Sequence, residues 1–286
     1  MSELTTREFR SLLPTVFAIL EESDAILMRH FSKVNSSRKA DGSEVTIADK
    51  AAERLVRMRL GAAWPTDAVF GEEFGGTLPR EGRCWLVDPI DGTASYVLGI
   101  PMFGTLIALA VDGQPVFGCI HLPALRETTY AATGHGCWLV RPGARARRVH
   151  VATPRSLDEA KVGMTGFKER SWLERSGARA VAELAFRVGR LRMVGDCVQY
   201  PLVCRGVLDA AVDPLMKPWD VAAIVPCILE AGGVISDLAG TTTDMIGRSS
   251  IVAASNNALR REICDAIRYP SSVGTRPQQQ SRRVRR

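Results

Sequence analysis

Along the first ninety residues, two segments with the apolar spacing of a helix are followed by two short apolar runs typical of strands. Between residues 4 and 33, aliphatic and phenylalanine side chains recur on one broad face, which predicts a long amphipathic helix. After a polar stretch, the capping-type sequence TIAD begins a second predicted helix, from about Ile47 to Leu60. Two apolar runs that each end in acidic residues then predict strands, DAVFGEE at 67–73 and RCWLVDPID at 83–91.

The next segment has the pattern of an antiparallel sheet. Residues 103–123 predict two strands joined by a hairpin at Asp112-Gly113. Residues 126–133 and 136–140 continue this pattern, and the basic segment RPGARARRVH at 141–150 is interpreted as a link between two halves of the chain.

Beyond residue 150, short strands alternate with helices. Strands are predicted at 162–166, 191–195, 208–214 and 250–256, and helices at 171–186, 197–206 and 219–233, with a final helix after 256. This alternation predicts an α/β half behind a more antiparallel α+β half. We therefore expect an N-terminal α+β half at 1–150 that carries the metal and phosphate site, an α/β half at 151–270, and a disordered basic tail at 271–286.

Composition narrows the class of protein. Hydrophobic residues make up 46% and charged residues 24% of the chain, which is typical of a globular protein and excludes a coiled coil or collagen. No apolar run approaches the roughly 20 residues of a membrane span, and we expect no membrane partner. The start of the chain lacks the pattern of a secretory signal. The seven scattered cysteines contain no CxxC pair, which favours reduced thiols and a cytoplasmic location.

The positive charge is concentrated at the C-terminal end. The formal net charge is +6, but five arginines lie in the last eleven residues, and without them it is +1. Such a tail could make nonspecific contact with nucleic acid, and a solvated tail is the simpler interpretation. We expect no other nucleic-acid partner.

The most informative sequence is WLVDPIDGT, at residues 85–93. An apolar strand ends at Asp88, Pro89 stiffens the turn, and Asp91 follows three residues later, so that both carboxylates can converge. Gly92-Thr93 then begins a predicted helix whose free N–H groups suit a phosphate. Two hard carboxylates beside such a site favour Mg²⁺.

Three further acids occupy comparable positions. Glu72 ends a predicted strand, and Asp49 and Asp220 each stand where a helix begins. For the two aspartates, helix capping is the simpler interpretation, and it is compatible with a functional role.

In order and separation, GEE, WLVDPIDGT and PWDVAA resemble the inositol monophosphatase superfamily, over roughly residues 5–268. The resemblance implies a layered αβαβα sandwich, a homodimer, and hydrolysis of a small phosphate monoester with two or three Mg²⁺ ions per active site. It implies these metal-binding positions: Glu72, Asp88, the backbone carbonyl of Ile90, Asp91 and Asp220. The implied catalytic residues are Asp49 and Thr93, which orient the attacking water, and Glu72. Lys39 falls in a mobile loop that closes over the site.

Several stretches, including DGTASY, PMFGTLIAL and GDC with Tyr200, most resemble the histidinol-phosphatase branch, although Val198-Gln199 departs from its usual aromatic-glycine pair. The implied reaction is the hydrolysis of L-histidinol phosphate to L-histidinol and phosphate in histidine biosynthesis. The alternative is a broader phosphatase of inositol-1-phosphate or of small sugar and alcohol phosphates. A catalytically silent regulator that binds RNA would have damaged metal positions, whereas all of the implied carboxylates are present.

Acids beyond the metal positions favour a cationic alcohol as substrate, because inositol carries no charge apart from its phosphate. The expected substrate-binding residues are Asp91, Gly92, Thr93, Arg192, Asp196, Asp213 and Asp220. Simpler interpretations exist for three of them. Asp196 could be a helix N-cap, Arg192 a surface strand residue, and Asp213 a turn residue before proline.

Overall fold

The structure is a computed structural model that describes residues 4–39, 44–153, 155–165 and 178–268. Its first elements are helix α1 (Thr6–His30), a hairpin of β1 (Ser37–Arg38) with β2 (Glu44–Val45), and helix α2 (Ile47–Ala63). Both predicted N-terminal helices are confirmed. A capping box begins α1, since Thr5 Oγ1 accepts a hydrogen bond from the Glu8 N–H and the Glu8 carboxylate accepts one from the Thr5 N–H.

A seven-stranded sheet follows. In spatial order it contains β3 (Ala68–Gly71), β4 (Arg83–Asp91), β5 (Gly104–Val111), β6 (Gln114–Leu122), β7 (Glu127–Ala132), β8 (Gly136–Val140) and β9 (Arg147–Arg148). All neighbours are antiparallel except β3 and β4, which are parallel. The short helix α3 (Thr93–Val97) connects β4 to β5. The segment 141–150 is not only a link, because Arg147 and Arg148 pair with β8 as the edge strand.

The C-terminal part forms a five-stranded sheet. Its strands are β10 (Lys161–Met164), β11 (Arg190–Met193), β12 (Ala210–Asp213), β13 (Val234–Ser236) and β14 (Ile251–Ala254), and their spatial order is β11-β10-β12-β14-β13. The helices of this part are α4 (Ala178–Arg187), α5 (Gln199–Cys204), α6 (Pro218–Glu230) and α7 (Asn257–Arg268). The sheet is mixed, because β14 pairs antiparallel with both β12 and β13. Strand β13 was not predicted. Residues 171–177 of a predicted helix and the tail at 271–286 lie outside the described residues.

The layers follow the predicted αβαβα order. Helices α1 and α2 pack on one face of the seven-stranded sheet, α5 and α6 fill the space between the sheets, and α4 and α7 cover the outer face of the five-stranded sheet. Gly118 on β6 permits the close approach of α6, since a Cβ there would lie 2.1 Å from the carbonyl oxygen of Ala223. One buried cluster joins both sheets through α6, so the division at residue 150 stays a prediction.

This layering determines where polar groups can meet. The C-terminal end of β4 and the first turns of α3 and α6 contribute residues to one cleft, and the C-terminal end of β12 contributes to a small pocket beside it. Across the described ranges, no helix combines the length and apolarity that crossing a membrane requires.

Candidate active site

Three carboxylates converge where β4 ends and α6 begins. Oxygens of Asp88, Asp91 and Asp220 all lie within 4.8 Å of one another. Two of these acids are fixed by backbone donors. The Ile90 N–H donates to Asp88 Oδ1 at 2.9 Å, and the Lys217 N–H donates to Asp220 Oδ2 at 2.9 Å. The predicted convergence of these positions is therefore present in the fold.

The electrostatics of this cluster favour a divalent cation. Burial, reinforced by the negative charges of Glu72, Asp220 and Asp91, raises the pKa of Asp88 well above its usual range. Carboxylates held this close in a site of low dielectric repel one another, and a bound dication would relieve the repulsion. The all-oxygen donor set is the one that Mg²⁺ prefers. The residues present therefore fit the metal that the sequence implied.

The two oxygens of Asp49 make different contacts. Its Oδ2 accepts hydrogen bonds from the N–H and the hydroxyl of Thr46, at 2.7 and 2.6 Å, which caps α2. Its Oδ1 lies 3.2 Å from the hydroxyl of Thr93, which also lies 2.9 Å from the carbonyl oxygen of Ile90. Burial raises the pKa of Asp49 against the opposing effect of the bonds from Thr46. The capping and the catalytic interpretations therefore describe the same carboxylate.

Glu72 lies beside β4, with its N–H donating to the carbonyl oxygen of Val87 at 3.1 Å. The Lys39 ammonium lies 2.7 Å from Glu72 Oε1 and 2.5 Å from Glu73 Oε1. Burial raises the pKa of Glu73 to about 7 despite the opposing effect of Lys39. The mobility expected for Lys39 stays a prediction, and residues 40–43 lie outside the described residues.

A cleft of about 650 Å³ opens above these acids. Its lining includes residues of β1 and β2, Lys39, Glu72 and the acidic cluster, the first turn of α3, and Leu215–Lys217 with Trp219 and Asp220. A small inner pocket adjoins the cleft and shares Asp91, Leu215, Met216 and Asp220 with it. The other residues that line the inner pocket are Thr165, Asp196, Tyr200 and Asp213.

Asp196 and Asp213 therefore lie where the sequence predicted a second acidic group. Asp213 Oδ1 accepts a hydrogen bond from the Leu215 N–H at 3.1 Å, so the turn interpretation of this residue also holds. Asp196 adopts a positive φ of 47°, and Gly195 rather than Asp196 occupies the N-cap position of its 3₁₀ turn. Gly92, with a φ of 91°, leaves room for it, because a Cβ there would lie 3.0 Å from Asp196 Oδ2.

Within the part of the chain that the structure describes, Arg192 does not line the inner pocket. It is exposed on the edge strand β11 and lines neither cavity. Its role in substrate binding stays a prediction.

Other lining residues were missed by the sequence analysis. Thr165 follows β10 and accepts a hydrogen bond from the Asp196 N–H at 3.2 Å. Glu44, on β2, lines the outer cleft. Neither residue belongs to a motif with recognisable spacing, although the end of a strand is a common location for binding residues.

An acidic cleft that fits divalent cations, above a layered αβαβα sandwich, is the arrangement expected of a metal-dependent phosphatase of phosphoric monoesters. A sequence model of the inositol monophosphatase family matches residues 10–269, and the chain belongs to this family. Enzymes of the family depend on metal ions, typically Mg²⁺.

Individual relatives agree with this assignment. The histidinol-phosphatase of Mycobacterium tuberculosis is 37% identical over 253 residues, which cover 88% of this chain and 95% of the relative. The fructose-1,6-bisphosphatase/inositol-1-monophosphatase of Thermotoga maritima is 30% identical over 252 residues, with coverages of 87% and 93%. A solved IMPase structure from Thermotoga maritima superposes with a TM-score of 0.79 at 26% identity and covers 90% of this chain and 97% of that one.

Proposed function

We propose that the protein hydrolyses L-histidinol phosphate to L-histidinol and phosphate in cytoplasmic histidine biosynthesis, as a homodimer with two or three Mg²⁺ ions per active site. The observation that carries this proposal is the inner pocket, in which Asp196 and Asp213 add two carboxylates to Asp91 and Asp220. The histidinol-phosphatase relative supports the same substrate.

Charge complementarity supports histidinol phosphate as the substrate of this pocket. Two unit charges about 4 Å apart interact by about 4 kcal/mol at an effective dielectric constant of about 20. Histidinol phosphate carries an ammonium group and an imidazole that can be protonated, whereas the ring of inositol-1-phosphate is neutral. Asp196 and Asp213 are both buried, so solvent screens their charge less than it would screen surface carboxylates.

The roles of the chain's own residues follow from their positions. Glu72, Asp88, Asp91, Asp220 and the carbonyl oxygen of Ile90 would hold the Mg²⁺ ions. When bound, Mg²⁺ lowers the pKa of a coordinated water and offsets the charge that develops on the leaving oxygen.

Two further groups orient the reactants. The Thr93 hydroxyl can donate to Asp49 and accept a hydrogen bond from the attacking water, which orients that water. The Gly92-Thr93 backbone, at the first turn of α3, offers N–H donors to the phosphate.

The alternative is a broader activity on inositol-1-phosphate or on sugar and alcohol phosphates. The Thermotoga maritima relative supports it, since that protein is named for two such substrates and matches this chain almost as fully.

The test is a comparison of kcat/KM for histidinol phosphate, inositol-1-phosphate and 3′-phosphoadenosine 5′-phosphate at saturating Mg²⁺. We expect histidinol phosphate to be preferred over both by at least about tenfold, the effect of one charge-assisted hydrogen bond. Equal values for histidinol phosphate and inositol-1-phosphate would favour the broader activity.

A further inference from the structure

Glu53 is a fully buried carboxylate that neither cavity includes. It lies on α2, one turn beyond Asp49, and has no exposed surface. A buried carboxylate requires hydrogen-bond partners or a compensating charge. Two of the groups that satisfy Glu53 belong to the loop that carries Glu72.

Both oxygens of Glu53 bind this loop. Oε2 accepts a hydrogen bond from the Glu73 N–H at 2.6 Å, and Oε1 accepts one from the Phe74 N–H at 3.2 Å. The backbone at Gly71 also packs closely against Glu53, because a Cβ at Gly71 would lie 2.3 Å from Glu53 Oε1. Glu53 therefore binds the chain immediately after Glu72.

Arg57, one turn further along α2, completes the attachment. Its Nε donates to Glu53 Oε1 at 2.7 Å, which supplies the compensating charge. Its guanidinium also donates to the carbonyl oxygens of Val69, at 3.3 Å, and of Gly75. The Glu53–Arg57 pair thus binds backbone N–H and carbonyl groups of the loop on both sides of Glu72.

We propose that Glu53, supported by Arg57, is a positioning residue that sets the Glu72 carboxylate for a divalent cation. Both oxygens of Glu53 already accept hydrogen bonds within the protein, so Glu53 acts through the loop and does not contact the cation. The inference rests on the proposed function, in that Glu72 binds Mg²⁺. Groups that orient metal ligands in this way typically contribute 10- to 100-fold to metal affinity.

A purely structural role for the pair makes a different prediction. An ion pair that only stabilises α2 against the loop would change the unfolding temperature and leave metal affinity unchanged. Removing one partner of a buried ion pair is strongly destabilising whatever else the pair does, so metal affinity is the more informative quantity.

The experiment is calorimetric titration of the full-length protein with Mg²⁺, for wild type and Glu53→Gln. The amide keeps the shape of the side chain but can no longer accept from both backbone N–H groups and from Arg57. We expect Mg²⁺ to bind at least about 10-fold more weakly at one site. Val56→Ala is the matched control, because it removes buried apolar contacts from the same helix and takes away none of the hydrogen bonds that hold the loop. It should lower the unfolding temperature and leave Mg²⁺ affinity unchanged.

A double-mutant cycle with Glu72→Gln identifies the route of the effect. If Glu53 acts through Glu72, Glu53→Gln should have no further effect on Mg²⁺ affinity in the Glu72→Gln background. If Glu53→Gln does not fold, Arg57→Gln tests the same attachment from a partly exposed position and should weaken Mg²⁺ binding in the same direction.

Two results would overturn the inference. One is Mg²⁺ affinity in Glu53→Gln, or in Arg57→Gln if that variant is used, within twofold of wild type. The other is a Glu53→Gln effect that persists in full without Glu72. A failure of the proposed function looks different, because wild type would then bind no Mg²⁺, Glu72→Gln would bind it as wild type does, or histidinol phosphate would not be hydrolysed.

Discussion

Substrate preference provides the sharpest test of the inner pocket. If Asp196 and Asp213 bind the cationic part of histidinol phosphate, then removing either charge should reduce activity on that substrate more than on inositol-1-phosphate. Asparagine is the appropriate replacement at both positions. At Asp213 it keeps an acceptor oxygen for the Leu215 N–H, and at Asp196 it tolerates the left-handed backbone.

The expected size follows from the position of the carboxylates. Both side chains are buried, so each loss should approach the value of a charge-assisted hydrogen bond, about 1.5–3 kcal/mol. That energy corresponds to roughly a 10- to 100-fold change in the ratio of kcat/KM for the two substrates. The metal cluster and the phosphate-binding turn serve both substrates equally, so their contributions cancel in the ratio.

The assay measures kcat/KM for histidinol phosphate and inositol-1-phosphate at saturating Mg²⁺ in wild type and each variant. Asp244→Asn is a matched control, since Asp244 also has a positive φ, of 50°, but is exposed and lines neither cavity. It should leave the ratio within about twofold, the scatter we expect for a surface change. An unchanged ratio in both Asp196→Asn and Asp213→Asn would refute the reasoning and favour the broader phosphatase.

Three further predictions concern the metal site and the fold. Asp88→Asn should nearly abolish turnover while circular dichroism shows a folded protein, because an amide is a poor ligand for a cation; near-native turnover would remove Asp88 from the mechanism. Gly118→Ala should lower the free energy of unfolding, measured in urea, by about 3 kcal/mol, which is the upper end for overpacking. The reason is that the new Cβ would lie 2.1 Å from the Ala223 carbonyl oxygen. A loss below about 1 kcal/mol would show that α6 moves away easily. Because folding raises the pKa of Glu73 from 4.5 to about 7 and also raises that of Asp88, these two acids should make the metal-free protein lose thermal stability as the pH rises from about 4.5 through 7. Mg²⁺ should reduce this slope by removing the contribution of Asp88, and the contribution of Glu73 should stay. A metal-free slope of the opposite sign would contradict the pKa directions.

The sequence predicted those parts of the site that local patterns determine. Asp88 and Asp91 lie in the last four residues of β4, and Asp220 stands in the first turn of a helix, so periodicity alone places them at the ends of elements. The layered order was also predictable, because a helix or sheet with one apolar face must bury it against another layer.

Contacts between distant parts of the chain could not be predicted from the pattern. Glu53 binds the backbone N–H of Glu73, twenty residues away, and a charged residue in an amphipathic helix is ordinarily expected to face solvent. Strand β9 was missed for a related reason. Arg147 and Arg148 have no apolar alternation, and their pairing depends only on the neighbouring edge of β8.

Backbone capping coincides with the proposed binding role at several acids of this site. Asp49 and Asp220 each use one oxygen to accept from the backbone at the start of a helix, and Asp88 and Asp213 each accept from an N–H two residues ahead. A carboxylate held by its own backbone has already lost its rotational freedom, so binding a cation or a substrate costs little further conformational entropy. The capping interpretation of such acids is therefore no argument against a role in binding, because the cap is what fixes the carboxylate for the ligand.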